Sequence, residues 1–496
     1  MNQTLPDAAR AYIDSMPDGT VDLFALTPLD NTGVPCWNAV YYDSAPQGPA
    51  GVATHGVGYG STDGEAIIGA TGELAEVVHS AAGIQRLERR RGSYADLARS
   101  LGRSMVADPL TLCLPAGSPV NTDTVLDWVP SRRYPDGATV WLPIDIAACA
   151  YHHLPPGYEP FITPITNGLG AGPSLDFAIG HGLCELFQRD GNGLNFRAMD
   201  RGILLEFGAG FPRDPRTRTL LAHLHSCGIE VLAKFADDEF GIANVYCVGG
   251  ETDRAAPAPI MVTAAGEAAS PDREQALHKA LLEFAAARVR KAFSHGPLAD
   301  AERVAPARYL ERLRARPALG GEEGRTMDAM RDWLGRDQAD LRALLEGSVL
   351  SRHGIKRFDE LPQWDRPLAG TAVAAELHRR LDAHGMSVLV LDYSPAGEGV
   401  HVVKVVVPGL EVETMSYHRI GERGVRKLLL RGSPLVGLSN PPDGALPVRL
   451  PAEAAERLGG TPWLDVAAVD RLVSPVYPLY REPKVHAAQI AMDATA

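Results

Sequence analysis

Two glutamates three residues apart, Glu73 and Glu76, place two carboxylates on one face of any helix that carries them. Like charges so placed repel unless a cation sits between them, and Mg2+ takes carboxylate and phosphate oxygens. A solvated acidic helix face has the same spacing. Glu185 stands among Ala178, Ile179, Leu183, Leu186 and Phe187, and Gln188, Arg189 and Asp190 follow it. Apolar flanks predict partial burial and hence a partner, either a metal or Arg189 through an i,i+4 bridge. In a third segment Glu283 is followed by Arg288, which reads as a phosphate contact or as the partner of a neighbouring helix.

Glycine-rich stretches precede the first two segments: Gly56-Val57-Gly58-Tyr59-Gly60 and Asn167-Gly168-Leu169-Gly170-Ala171-Gly172. The second leads into a predicted helix N-terminus, where backbone N–H groups can hold a phosphate. It is not a P-loop, because no Gly-Lys-Ser/Thr follows, and its glycine spacing is not that of a dinucleotide fingerprint. His223, His225 and Cys227 alternate at a predicted helix end and lack the convergence of a zinc site. The sequence contains no Gly-x-Ser-x-Gly elbow.

These residues need elements to hold them. Residues 20–27 and 37–42 read as strands, and an apolar stripe from Ala66 to Val78 predicts a helix over 62–80. Residues 86–104 read as a second, exposed helix, 139–147 as a strand, 174–189 as a helix capped by Ser174, and 272–293 as a long helix. Residues 217–249 and 371–407 share one plan: helix, glycine (Gly228 or Gly385), then a two-strand hairpin. This repeated α-β-β unit predicts an α+β fold with a mixed sheet. The Arg-, Glu- and Asp-rich stretch 300–365 reads as a peripheral helical insertion, with 315–325 (ARPALGGEEGR) as its mobile loop. Pro475, Pro478 and Pro483 predict an extended tail from Ser474.

The chain has 496 residues, 45% apolar and 22% charged, with a formal net charge of −13. That length predicts one bilobed domain or two domains sharing an interface. The acidic balance argues against general nucleic-acid binding, and the cluster Arg86, Arg89, Arg90 and Arg91 reads as a solvated helix end. No apolar run reaches the length of a membrane span, and MNQTLPDAARAYID is not a signal peptide. Six scattered cysteines without a Cys-x-x-Cys pair suit reduced thiols, so the expected compartment is the cytoplasm.

Taken together, the segments resemble the YcaO family. The Gly-x-Gly turn followed by EAIIGATGELAEV is similar to that family's first motif, a GKG turn and then Ser-Ala-x-x-Glu-x-x-Glu-Arg. TNGLGAGPSLDFAIGHGLCELFQRD is similar to its second, EQALHKALLEFAAARV to its third, and VKVVVPGLE to a late strand. The resemblance runs in order across residues 50 to 415. It implies a YcaO-type fold around ATP and Mg2+, and an enzyme that phosphorylates a peptide backbone amide to give azoline- or thioamide-type products. By the resemblance, Glu73, Glu76 and Glu185 hold Mg2+. Gly58, Tyr59, Gly60, Asn167, Gly170, Gly172 and Arg288 surround the nucleotide, and Glu185, Gln188 and Arg189 form the catalytic cluster. It also implies a ribosomal precursor peptide as substrate, a homodimer, and a ubiquitin-activating-enzyme-like or sulfur-delivering partner, without membrane or nucleic acid. The expected division is residues 1–299 as an N-terminal YcaO-type part, 300–365 as the insertion, 366–473 as the C-terminal part and 474–496 as the tail.

The sequence departs from the family pattern at defined places. Tyr59 replaces the lysine of the GKG turn, Gly69 and Val77 replace the first motif's Ser and Arg, and Ala286 replaces the third motif's Gln. Pro173 stands for an asparagine, Phe177 for an acid and Gln188 for a glutamate. Loss of two anionic ligands weakens a Mg2+ site. The alternative is therefore a catalytically degenerate scaffold that binds a peptide or partner; an unrelated α+β enzyme is the third reading.

Overall fold

The structure, a computed structural model, describes residues 5–43, 54–194, 197–252, 254–315, 323–364, 370–397, 399–412 and 417–493. The chain divides into two compact units. The first is built from Met1–Ala75, Asn195–Asp365 and Ser474–Ala496, the second from Glu76–Leu194 and Arg366–Val473.

The first unit carries β1 (Gly19–Ala25), β2 (Cys36–Asp43) and β3 (Thr54–Tyr59) as an antiparallel sheet in that order. Its second sheet is mixed: β8 (Ile203–Glu206), β9 (Ile229–Asp237), β10 (Ala243–Glu251), β11 (Ala265–Ser270) and β12 (Gly354–Arg357) run β11-β10-β9-β8-β12. Only β8 and β12 pair in parallel among them. The second unit carries β4 (Arg90–Ser93), β5 (Val125–Tyr134), β6 (Thr139–Pro143), β7 (Leu169–Gly172), β13 (Val388–Asp392) and β14 (His401–Val406). They are ordered β4-β5-β13-β14-β7, with β6 on β5. Both repeats form as the sequence predicts: helix Pro215–Ser226 leads to the β9–β10 hairpin, and helix Ala372–Asp382 to β13–β14.

Three long helices each follow an edge strand after a two- or three-residue link: Asp63–Arg86 after β3, Leu175–Asn192 after β7 and Arg273–His295 after β11. A short polar side chain starts each helix by accepting a backbone N–H: Thr62 from Glu65, Ser174 from Phe177, and Asp272 from Glu274 and Gln275. One glycine in each strand lies directly on a helical hydrogen bond. A Cβ on Gly58, Gly170 or Gly266 would stand 2.0, 2.2 or 2.0 Å from the carbonyl oxygen of Ala66, Ala178 or Ala280. Only glycine admits that approach.

Several elements differ from expectation. Residues 86–104 form strand β4 and the short helix Tyr94–Leu101 instead of one helix, because Arg90 stacks on Trp141 and Arg91 pairs with Asp127 on β5. Residues 139–147 are β6 followed by the helical turn Ile144–Ala147. The insertion is helical, but Met330, Trp333, Leu341 and Leu345 join the core cluster of Phe24 and Phe293, so it is not peripheral. The tail is not extended. It makes the turn Ser474–Leu479 and the helix Ala487–Asp493, with Tyr477 and His486 buried. Of the predicted loop, residues 316–322 lie outside the described residues. No helix among the described residues is long and apolar enough to cross a membrane.

Candidate functional site

Before each of the first two motif helices a backbone N–H, one on β3 and one in the turn ahead of β7, is taken by a glutamate of that helix. Glu73 accepts the Val57 N–H at 2.9 Å, and Glu185 accepts the Gly168 N–H at 3.0 Å. Glu73 is thus anchored through Oε2 to β3, and Glu185 through Oε2 to the turn that leads into β7. Glu73 is exposed, and Glu76, one turn further along the same helix, is half-buried. Glu73 belongs to the first unit, and Glu76 and Glu185 to the second.

In the first unit Tyr59, the last residue of β3, donates its hydroxyl to Glu283 at 3.2 Å. Burial and the Glu283 carboxylate push the phenol far above its ordinary range, so it remains a neutral donor. The nearby cation is not Arg288. That guanidinium is fully buried and held by Asp30 at 3.0 Å and Glu251 at 2.5 Å, themselves fully buried, so it is structural and not a phosphate contact. Arg290 takes the open position. It contacts Glu482 of the tail at 2.9 Å, and the charges of Glu482, Glu73 and Glu283 hold it firmly protonated. Lys291 at 2.6 Å and His295 at 3.2 Å complete the grip on Glu482. Burial alone would raise that carboxyl, but the three bases hold it well below the usual carboxylate range. The sequence carried a signal for Arg290: it lies seven residues after Glu283, on the same helical face, whereas Arg288 lies five after it.

In the second unit Glu185 and Arg189 form the i,i+4 pair at 3.5 Å, both three-quarters buried. Gln188 is buried, and Asp190 anchors the helix end through Arg423 and the Glu411 N–H. Asn167 brings a buried Nδ2 that has no hydrogen-bond partner among the described residues. It lines a cavity of about 50 Å3 together with Asp145, Lys404 and Glu411. Lys404, on β14, donates to the carbonyls of Ala148 at 2.9 Å and Ile165 at 2.7 Å, and burial pulls its ammonium below the ordinary range. Lys404 was not singled out from the sequence; it reads there as one polar residue in a β-branched strand.

The two glycine-rich stretches are largely strand: only Asn167-Gly168 turns, with Gly168 at φ +84°. Gly58 and Tyr59 end β3 and Gly60 follows it, while Gly170 and Gly172 belong to β7. Gly58 and Gly170 serve helix packing, and the face they press on the helix has no space for a ligand. A Cβ on Gly172 would stand 2.3 Å from the ring of Phe177, which covers the place where the family pattern has an acid.

Residues 57–411 match the family described as YcaO cyclodehydratase, ATP- and Mg2+-binding. A protein of Methanothermobacter thermautotrophicus, described only as uncharacterized, is 26% identical over 405 residues, covering 82% of this chain and 93% of that protein. A heterocyclase solved in complex with substrate and cofactor superposes with a TM-score of 0.61 at 20% identity. The match covers 86% of this chain but spans only 55% of the heterocyclase. The YcaO protein of Methanopyrus kandleri, solved with AMPPCP and Mg2+, gives 0.54 at 19% identity over 83% of this chain and 91% of that one. At these identities the two structures speak for the fold.

Proposed function

The chain belongs to the YcaO family, and on that premise we propose that it is an ATP- and Mg2+-dependent enzyme that activates a backbone amide of a ribosomally made peptide, giving an azoline- or thioamide-type modification. One observation carries the reading. Glu73 is tethered to an amide of edge strand β3 and Glu185 to the Gly168 amide in the turn that leads into β7, each through Oε2. That arrangement fixes each carboxylate beside its motif helix, and at Glu185 a bound cation would share the second oxygen with Arg189, which stands 3.5 Å from it.

Glu73, Glu76 and Glu185 are the proposed Mg2+ ligands, and the orphaned Asn167 amide is the proposed donor to the nucleotide. Mg-ATP, when bound, supplies the phosphoryl group that turns an amide oxygen into a leaving group. Arg189 holds Glu185 in its rotamer, and Arg290 is the cation proposed to face phosphate. Tyr59, neutral and hydrogen-bonded to Glu283, orients that carboxylate without adding charge. Gln188 offers a carbonyl in place of a carboxylate, which weakens but retains a metal contact. The precursor peptide, a homodimer and a ubiquitin-activating-enzyme-like or sulfur-delivering partner belong to the same proposal.

The test is phosphate release by purified protein given Mg-ATP and its candidate precursor peptide. Release should require both Mg2+ and peptide. Glu185→Gln should reduce it at least about 100-fold with the melting temperature unchanged, because the isostere keeps the fold and removes one ligand charge. Undiminished release by Glu185→Gln would exclude its metal role.

Phe177, whose ring covers Gly172, and Gln188 favour a second reading, a scaffold that binds peptide without turnover. Calorimetry with Mg-ATP separates the two: a scaffold without a nucleotide site gives no heat.

A further inference from the structure

In the first unit the helix Gln338–Glu346 and the turn after it lie over β9 and β10 and enclose a cavity of about 260 Å3. Its wall contains polar groups whose hydrogen-bonding capacity the protein does not use. Arg342 and Glu346 sit one helical turn apart, the spacing of an ordinary ion pair, yet they do not pair. Among the described residues the Arg342 guanidinium makes one hydrogen bond, to the Glu251 carbonyl at 2.7 Å, and the Glu346 carboxylate makes none. The Ser351 hydroxyl also belongs to the lining. It is buried, with 3% of the residue exposed, and has no partner among the described residues. Arg352 is already committed to Glu230 at 2.8 Å, so that pair is neutral. Leu232 and Leu350, both buried, supply the apolar wall.

We propose that this cavity is a binding site for a free α-amino acid with an aliphatic side chain. The open charges number one positive and one negative, held apart on a helix, so the complement is a zwitterion and not a simple anion. Four helical residues rise about 6 Å. That span suits a carboxylate and an ammonium on one carbon, each reaching its own partner. The ligand carboxylate takes the fork of Arg342 and the Ser351 hydroxyl, its ammonium takes Glu346, and its side chain covers Leu232 and Leu350. A peptide terminus carries only one of the two charges and leaves either Arg342 or Glu346 unanswered. The site draws on none of the residues proposed for nucleotide or metal, so it stands or falls separately from them.

Calorimetry on the full chain tests this with L-leucine, L-valine, leucinamide and N-acetyl-leucine at concentrations up to about 10 mM. Leucine should bind, and each blocked derivative should bind at least about tenfold more weakly. Glu346→Gln, at an exposed position where the fold is safe, should cost a similar factor. So should Arg342→Lys, which keeps charge but loses the bidentate fork. No heat with either amino acid would overturn the proposal. So would equal binding of leucinamide, or of N-acetyl-leucine, which would mean that a single charge is read and that a peptide end is the better occupant.

Discussion

Between Arg288 and Arg290 the helix turns through about 200°, which sends one guanidinium into the core between Asp30 and Glu251 and the other to Glu482 at the surface of the same unit. Their substitutions should therefore part company. Arg288→Ala leaves two buried carboxylates uncompensated and should cost about 3–5 kcal/mol in urea unfolding. Arg290→Ala leaves Glu482 with Lys291 and His295, and should cost at most about 1 kcal/mol while lowering ATP-dependent phosphate release. The reverse pattern would restore Arg288 as the phosphate contact. The sequence displayed both arginines equally. What it concealed was their partners, because Asp30, Glu251 and Glu482 lie 258, 37 and 192 residues away along the chain.

The joint of edge strand, polar cap and long helix is the element that recurs. Its helices were legible: all three were located in the sequence, the first by its apolar stripe, and Ser174 was readable as a cap. Its glycines were misread, since a Gly-x-Gly string looks the same whether it turns around a phosphate or lies flat on a helix. Packing decides, and packing is absent from a string. Gly58→Ala, Gly170→Ala and Gly266→Ala place a methyl about 2 Å from backbone oxygen, so each should lower the melting temperature sharply or prevent folding. Gly347→Ala, which ends helix Gln338–Glu346 with φ −80 and open space around it, should be neutral or raise stability by up to about 1 kcal/mol. Comparable effects at all four positions, read by thermal unfolding, would contradict the joint. The insertion shows the complementary difficulty: a stretch rich in Arg, Asp and Glu reads as surface, yet Met330, Trp333, Leu341 and Leu345 share one core with Phe293.

At the scale of the molecule, both units bury histidines in neutral form. Burial pulls His55 and His79 down to about 4 and His153 and His486 to about 3; Arg86 adds to this at His79, His152 at His153, and His55 at His486. Below their ordinary value of 6.5 the unfolded chain takes up protons that the folded chain refuses. Stability is therefore full above about pH 6.5 and falls as pH drops toward 4, by up to about 1.4 kcal/mol per histidine and pH unit. Denaturant midpoints should decline steeply between pH 7 and pH 5; a flat profile over that range would contradict neutral burial.

The first unit is stitched from three separated stretches, and its core needs Phe24 from the first, Phe293 from the second and His486 from the third. A ribosome adding about 5–20 residues per second delivers His486 some 20 to 90 seconds after Phe24. Until the second stretch arrives β1 and β2 have emerged with their apolar faces uncovered, and the core stays incomplete until the third. During synthesis, therefore, the apolar faces of β1 and β2 wait for partners encoded far down the chain, a stage exposed to aggregation.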